Sequence, residues 1–266
     1  MEKIKVLGWE TPPQDAMEKY IHACKLAASE EDAFKKFRQD PNYKIILEGW
    51  NGGGNAWLGE ILVSYGDDAL LEKMHLFKRN DIYGKPTIIR YPIVGETCPF
   101  TLKYILDAFR IAENLGNPEF KKIVEVGVGF GSMCLIMDSI YQFDEYTLVD
   151  LPEVIQLTKK YLSNFPEIYS KLNFISCDDI EAMDRFDRFD LFISDAALAE
   201  CNMNTQHLYV DKFLNKSKFG YINYNTIRSS TVAADNYKIL LNKISPLFNI
   251  IEKIDGCSHL YLEKIV

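Results

Sequence analysis

From Pro99 onward, short apolar runs alternate with segments whose apolar residues recur every three or four positions. No other feature narrows the possible folds as far. The runs KKIVEV, YTLVD, LNFIS, FDLFIS and GYINYN read as buried strands. Helical patterns lie between them in SMCLIMDSIYQF, PEVIQLTKKYL and TQHLYVDKFLNKS. Strands separated by helices form a parallel sheet covered on both faces, because a parallel crossover needs a dozen or more residues. After a helix around Asn236–Ile244, the last two runs, FNIIEKI and HLYLEKI, are joined only through Asp255-Gly256 and its neighbours. That link is too short for a crossover, so they are expected to pair antiparallel at one edge. The predicted fold is α/β: a Rossmann-like sheet, helices on both faces, and an antiparallel C-terminal strand.

Residues 97–266 form that domain in this reading, and Pro99–Leu115 is its first helix, with Gly116 just past its end. Residues 1–96 read as a mainly helical N-terminal cap. Gln14–Ala28 and Asp67–Phe77 carry helical periodicity, and Gly52, Gly53 and Gly54 are expected to interrupt any regular element between them. A short apolar run occupies Ile88–Tyr91.

The chain has 266 residues, 47% apolar and 26% charged, which excludes global disorder and allows one large domain with an attached piece. Its net charge of −8, without a Lys/Arg block, argues against nucleic acid or anionic lipid as a partner. No apolar run approaches the roughly 18–20 residues of a membrane span. The start, MEKIKVLGWETPPQD, has no apolar export segment, and the six cysteines show no C-x-x-C spacing. A cytoplasmic protein with free thiols is the expectation.

The first strand runs into Val124-Glu125-Val126-Gly127-Val128-Gly129-Phe130-Gly131-Ser132. Glycines at a strand-to-helix junction allow a tight turn and a close approach to a ligand. Asp150, ending the next strand, stands where an acceptor for ribose hydroxyls belongs. Nicotinamide dinucleotides and S-adenosylmethionine both use this topology. The spacing here is E-x-G-x-G-x-G rather than G-x-G-x-x-G, and Glu125 would repel a pyrophosphate. A cationic ammonium and sulfonium suit it better, so S-adenosyl-L-methionine is the expected cofactor.

These segments resemble the class I S-adenosylmethionine-dependent methyltransferases, and within them the sugar O-methyltransferase group. The likeness rests on CPFTLKYILDAFRIAENLG, KKIVEVGVGFGSMCLIMD, YTLVDLPEVIQLTKKYL, DLFISDAALAE and TQHLYVDKFLNKSKFGYINYN, and fades before Asp81. It implies that Glu125, Gly127 and Gly129 meet the cofactor's amino-acid end, with Gly131 also among the cofactor-binding residues. Asp150 would take the ribose, Leu151 would pack on the adenine, and Cys177, Asp178 and Asp179 would supply the adenine contact. Ser194 would lie near the transferred methyl group. Asp195 stands where the family often has Asn.

Methyl transfer to a hydroxyl needs alignment and a proton acceptor. Side chains after the fourth and fifth strands are placed to serve, namely Asp195, Glu200, His207, Asn223 and Asn225, together with His259 on the last strand. Glu200 and Asp195 rank first as catalytic candidates and His259 next. Asp178, Asp179 and Asp195 offer oxygen ligands, but no dense acid cluster or zinc spacing appears, so no metal is expected. Carboxylates between Asp184 and Asp190 read as a solvated loop. In the cap, Trp50, Trp57, Tyr83 and Tyr91 are flat surfaces on which a sugar ring can pack. Asn51-Gly-Gly-Gly-Asn55 could cradle a phosphate, and Lys78, Arg79, Arg90 and Arg228 could bind one.

The expected partner is a small-molecule acceptor, a sugar or a sugar derivative used in surface-glycan or secondary-metabolite synthesis, and a homo-oligomer is compatible with the sequence. The alternatives are another polar acceptor, such as a phosphoryl oxygen or an amine, a non-catalytic S-adenosylmethionine-binding protein, and, more distantly, a pyridine-nucleotide oxidoreductase.

Overall fold

The computed structural model describes residues 13–49, 51–116, 118–224, 231–254 and 258–265. Trp50, Asn225, Arg228 and the Asp255-Gly256 turn lie outside the described residues.

The N-terminal part is helical, as its periodicity predicts, with helices Gln14–Ser29, Pro41–Leu47, Gly54–Tyr65 and Asp68–Phe77. Asp40 starts the second of these by accepting the Asn42 N–H at 2.8 Å, with Pro41 fixing the first helical turn. The glycine run differs from its expected role. Instead of breaking regular structure, Asn51–Gly53 form one 3-10 turn that leads directly into the Gly54–Tyr65 helix. The glycines are there for space: a Cβ on Gly54 would lie 1.9 Å from the Tyr91 hydroxyl, and one on Gly53 2.4 Å from the Trp57 ring. A small hairpin follows, β1 (Ile89–Tyr91) against β2 (Gly95–Thr97).

The Pro99–Asn114 helix then leads into the sheet: β3 (Lys122–Val126), β4 (Glu145–Asp150), β5 (Leu172–Ser176), β6 (Phe189–Asp195), β7 (Ser217–Tyr224), β8 (Phe248–Ile254) and β9 (Ser258–Lys264). The spatial order is β5-β4-β3-β6-β7-β9-β8. Strands β3 to β7 are parallel, and β9 runs antiparallel to both of its neighbours. The expected antiparallel pair is therefore present, with the later strand inserted and β8 on the edge. Five consecutive β9 residues, Ser258 to Leu262, are buried, whereas β8 is largely exposed after Phe248.

The loop expected to be solvated is exposed at Asp184 and Asp187, whereas Asp190 lies on β6 and is half-buried. It accepts the N–H groups of Lys121 and Lys122 at 3.0 and 2.9 Å and pairs with Lys218, anchoring the start of β3.

One apolar cluster covers the face of the sheet that carries the N-terminal helices, joining Tyr20, Phe37 and Tyr43 to Phe130 and Tyr161. Phe130, in the middle of the glycine loop, meets Phe37 edge-on at 5.7 Å and Tyr161 at 4.8 Å. The Arg38 guanidinium lies 4.6 Å above its ring. Arg38 is fully buried and ion-paired with Glu48 at 2.6 Å, and it donates to the Asn80 carbonyl. The glycine loop is thus clamped from behind by residues far away in sequence. Among the described residues, no helix is long and apolar enough to cross a membrane.

Candidate active site

Above the carboxyl ends of β3, β4, β6 and β7 lies a cavity of about 630 Å³. An open parallel sheet places its ligands there. Residues from β4 form one end of the cavity and β9 the other.

The β4 end is built on the glycine loop. Gly127, Gly129 and Gly131 all take positive φ, at +78°, +54° and +95°. A Cβ on Gly127 would lie 1.9 Å from the Ala197 side chain, and one on Gly129 2.9 Å from Leu47. Bare backbone therefore faces the cavity at both positions. Asp150 accepts the Gly129 N–H at 3.1 Å and the Leu151 N–H at 2.7 Å, which ties the glycine loop to the end of β4. Burial pushes the Asp150 carboxyl up to about 6, against the pull of those backbone donors. Glu125, 3% exposed, accepts a hydrogen bond from the Tyr146 hydroxyl at 2.7 Å. Burial raises it to about 8, the Tyr146 bond lowers it, and the nearby Asp195 and Asp150 raise it further. The basic side chains lining the cavity, Lys103 and Arg110, belong to its other end.

At that other end, strand register sets the geometry. Asp195 pairs with Asn223 across β6 and β7, and Asn223 pairs with His259 across β7 and β9. Those three side chains therefore share one face, and Tyr221, two residues before Asn223, shares it too. Opposite them, the Pro99–Asn114 helix presents Lys103, Asp107 and Arg110. Lys103 pairs with Asp195 at 2.5 Å and with Asp107 at 2.7 Å. Asn223 donates to Asp195 at 2.7 Å. Against the upward push of burial, Lys103 and these hydrogen bonds hold the Asp195 carboxyl below its ordinary range. Asp107 goes the other way, raised by burial that Lys103 only partly offsets. Tyr221 donates to Asp107 at 3.2 Å and lies 3.0 Å from His259 Nδ1. Arg110 is clasped by both Glu60 oxygens at 2.8 and 2.9 Å, with its Nη1 3.5 Å from His259 Nε2.

The structure brings together on this cavity Glu125, Gly127, Gly129, Asp150, Leu151, Cys177, Asp195, Glu200, Asn223 and His259. Gly131, Asp178, Asp179 and Ser194 are not in its lining. Gly131 caps the Ser132–Ile140 helix, with Leu162 against it. Asp178 receives the Ser176 hydroxyl, and Asp179 accepts the Ala182 N–H at 2.9 Å. Ser194, fully buried, accepts the Leu198 N–H at 3.0 Å. The helix after Glu200 is capped by Asn202, which accepts the Thr205 N–H at 3.0 Å.

Of the cap aromatics, Trp57 lines the cavity, while Tyr83 packs on Tyr161 and Phe165 and Tyr91 is buried behind Gly54. Lys78 and Arg79 lie outside the lining, held by the Val94 carbonyl and by Asp138 and Glu167. The residues that sequence reasoning missed are Lys103, Asp107, Arg110, Glu60 and Tyr221. A signal was present: positions 103, 107 and 110 fall on one helix face.

No protein-family model matches the chain, and no curated protein matches it. Several solved structures are similar to it. One, from Methanococcus maripaludis, is described as an S-adenosyl-L-methionine-dependent methyltransferase. It is 14% identical over 61% of this chain and 85% of its own, with a TM-score of 0.49. Another, described as an O-methyltransferase from Klebsiella pneumoniae, is also 14% identical, covering 83% of this chain and 99% of its own at a TM-score of 0.49. An SAH-bound methyltransferase from Podospora anserina is 14% identical over 74% of this chain and 88% of its own, with a TM-score of 0.42. Likenesses at this level assign no activity to the chain.

Proposed function

We propose that the chain is a methyltransferase that uses S-adenosyl-L-methionine to methylate an oxygen of a polar, uncharged acceptor, a sugar or sugar derivative. The observation that carries this reading is the pair of buried acids, Glu125 and Asp150, facing one cavity across a bare glycine turn with the basic side chains at the opposite end. Such an end suits a ligand with an ammonium and a ribose. When bound there, S-adenosylmethionine supplies an electrophilic methyl group. Glu125 receives the ammonium, Asp150 the ribose hydroxyls, and Gly127 and Gly129 let the ligand lie on the backbone.

The acceptor reading rests on how the cations are held. Lys103 sits between Asp107 and Asp195, and Arg110 is matched by Glu60, so neither presents unbalanced positive charge to a phosphate. Trp57 adds a flat apolar wall beside this polar network, the combination on which a neutral ring bearing hydroxyls packs.

Thermal unfolding with S-adenosylmethionine, S-adenosylhomocysteine, NAD⁺ and no ligand tests the cofactor. A ligand at a hundred times its Kd adds about 2.7 kcal/mol, which is visible as a shift in Tm. Stabilisation by the two adenosyl compounds and not by NAD⁺ is the expected result. A shift with NAD⁺ alone overturns the proposal, and cofactor binding without transfer to any of a broad set of hydroxylated acceptors reduces it to a binding protein.

A further inference from the structure

We propose that the first helix of the cap belongs to the cofactor site, with Met17 and Tyr20 closing the cavity over the ribose beside Asp150. The identity of that ligand rests on the methyltransferase reading of the same cavity; the placement of the two side chains does not.

The Gln14–Ser29 helix buries Met17, Tyr20, Ala23, Cys24 and Ala27 along one stripe. Three of these are small, which lets it lie close against the Pro152–Leu162 helix, the one that starts directly after Asp150. Near the carboxyl ends of both helices, Lys160 donates to the Ala27 carbonyl at 3.2 Å and pairs with Glu31 at 3.5 Å, so the two run in the same direction. Tyr20 and Glu153 each stand seven residues before that contact, about 10 Å back along the axis. Tyr20 is thereby carried level with the first turn after Asp150, and Met17 almost one turn beyond it. Both line the cavity together with Asp150 and Leu151, and both are nearly buried.

Burial first, then Cys24, Tyr43 and Asp150, pushes the Tyr20 hydroxyl well up, so the wall beside the carboxylate stays uncharged. The ring is backed by Tyr43, with centroids 5.6 Å apart. Tyr43 stands on the Pro41–Leu47 helix, whose last residue reaches the glycine loop: a Cβ on Gly129 would meet Leu47 at 2.9 Å. Ile45 and Ile46 join Leu47 on the lining. A ribose accepted by Asp150 then has the glycine loop on one side and cap residues on the other, and the excluded water strengthens its hydrogen bonds. The cap divides its work. The Gly54–Tyr65 helix sends Trp57 and Glu60 to the acceptor end, whereas the Gln14–Ser29 and Pro41–Leu47 helices enclose the cofactor.

The test is amide hydrogen exchange of the full chain, unliganded and with S-adenosylhomocysteine or NAD⁺ at about a hundred times the Kd measured for each. With S-adenosylhomocysteine, amides 16–23 and 43–49 should slow by about tenfold or more, alongside 127–131. The Asp68–Phe77 helix, which contributes nothing to the lining, should change by less than about twofold. Tyr20→Leu should weaken S-adenosylhomocysteine and methylthioadenosine alike by about tenfold, whereas Tyr20→Phe should stay within about threefold of the parent. In turnover, Tyr20→Leu should raise the KM of S-adenosylmethionine and leave that of the acceptor in place, a split that a merely structural role would not produce. Binding of S-adenosylhomocysteine without slowing at 16–23, or with wild-type affinity in Tyr20→Leu, overturns the proposal. Binding of NAD⁺ alone overturns the methyltransferase reading, and slowing at 16–23 on NAD⁺ then still upholds the cap's part in the site. Binding of neither ligand overturns both.

Discussion

Glu125 offers the sharpest test of the cofactor end, because its protonation must change when a cation arrives. With its carboxyl raised from the ordinary 4.5 to about 8, chiefly by burial, about nine molecules in ten carry it protonated at pH 7. An ammonium group is matched by the carboxylate, so binding expels that proton. If the ligand returns the group to its ordinary value, affinity for S-adenosylhomocysteine rises about 50-fold from pH 6 to pH 8, with about 0.9 proton released per ligand at pH 7. Titration calorimetry in buffers of different ionisation enthalpy reads the proton directly. Methylthioadenosine, which lacks the ammonium, should release none. Glu125→Gln should bind the adenosyl amino acids more weakly and without the pH slope. The same shift governs stability. A carboxyl whose folded value is raised makes the unliganded protein lose stability as pH rises from about 4.5 to about 8, and Glu125→Gln should gain on the parent over that window, by up to about 5 kcal/mol. An S-adenosylhomocysteine affinity independent of pH, with an enthalpy independent of buffer, would refute the reasoning.

Three further outcomes are expected. Asp150→Ala should weaken S-adenosylhomocysteine by at least tenfold in calorimetry, since it removes the partner of the Gly129 amide and the acceptor proposed for the ribose; unchanged affinity would remove the ribose from this position. Gly127→Ala should lower Tm and abolish detectable binding, because φ is +78° and the new Cβ would meet Ala197 at 1.9 Å. Glu48→Ala should cost about 3–5 kcal/mol in urea unfolding by stranding buried Arg38, whereas Arg38→Met combined with Glu48→Leu should recover most of that loss.

The sheet was legible because its central strands are buried, and burial on both faces writes itself as unbroken apolar runs such as Ile123–Val124 and Leu191–Ile193. The glycine loop was legible because bare backbone at positive φ leaves little choice of residue. Which terminal strand forms the edge was not read, although the composition carries a trace: FNIIEKI ends in charges and is exposed, while SHLYL is buried throughout. The acceptor end was harder for a different reason. Lys103, Asp107 and Arg110 make a charged helical stripe, and a charged stripe usually faces water. Here it faces a cavity whose other wall comes from β6, β7 and β9, more than 80 residues later in the chain. Likewise the Gly52–Gly54 run looks like a break in helical structure. Only the positions of Trp57 and Tyr91 show that it makes room for two rings.

The insertion of β9 between β7 and β8 also fixes the order in which the site is completed during synthesis. Strand β8 leaves the ribosome first yet has no place on the sheet until β9 has docked against β7. The glycine loop, Glu125 and Asp150 have all emerged by then, whereas the imidazole of His259 arrives with the last strand to be added. A nascent chain can therefore assemble the glycine-loop end of the cavity while the opposite end still lacks a wall.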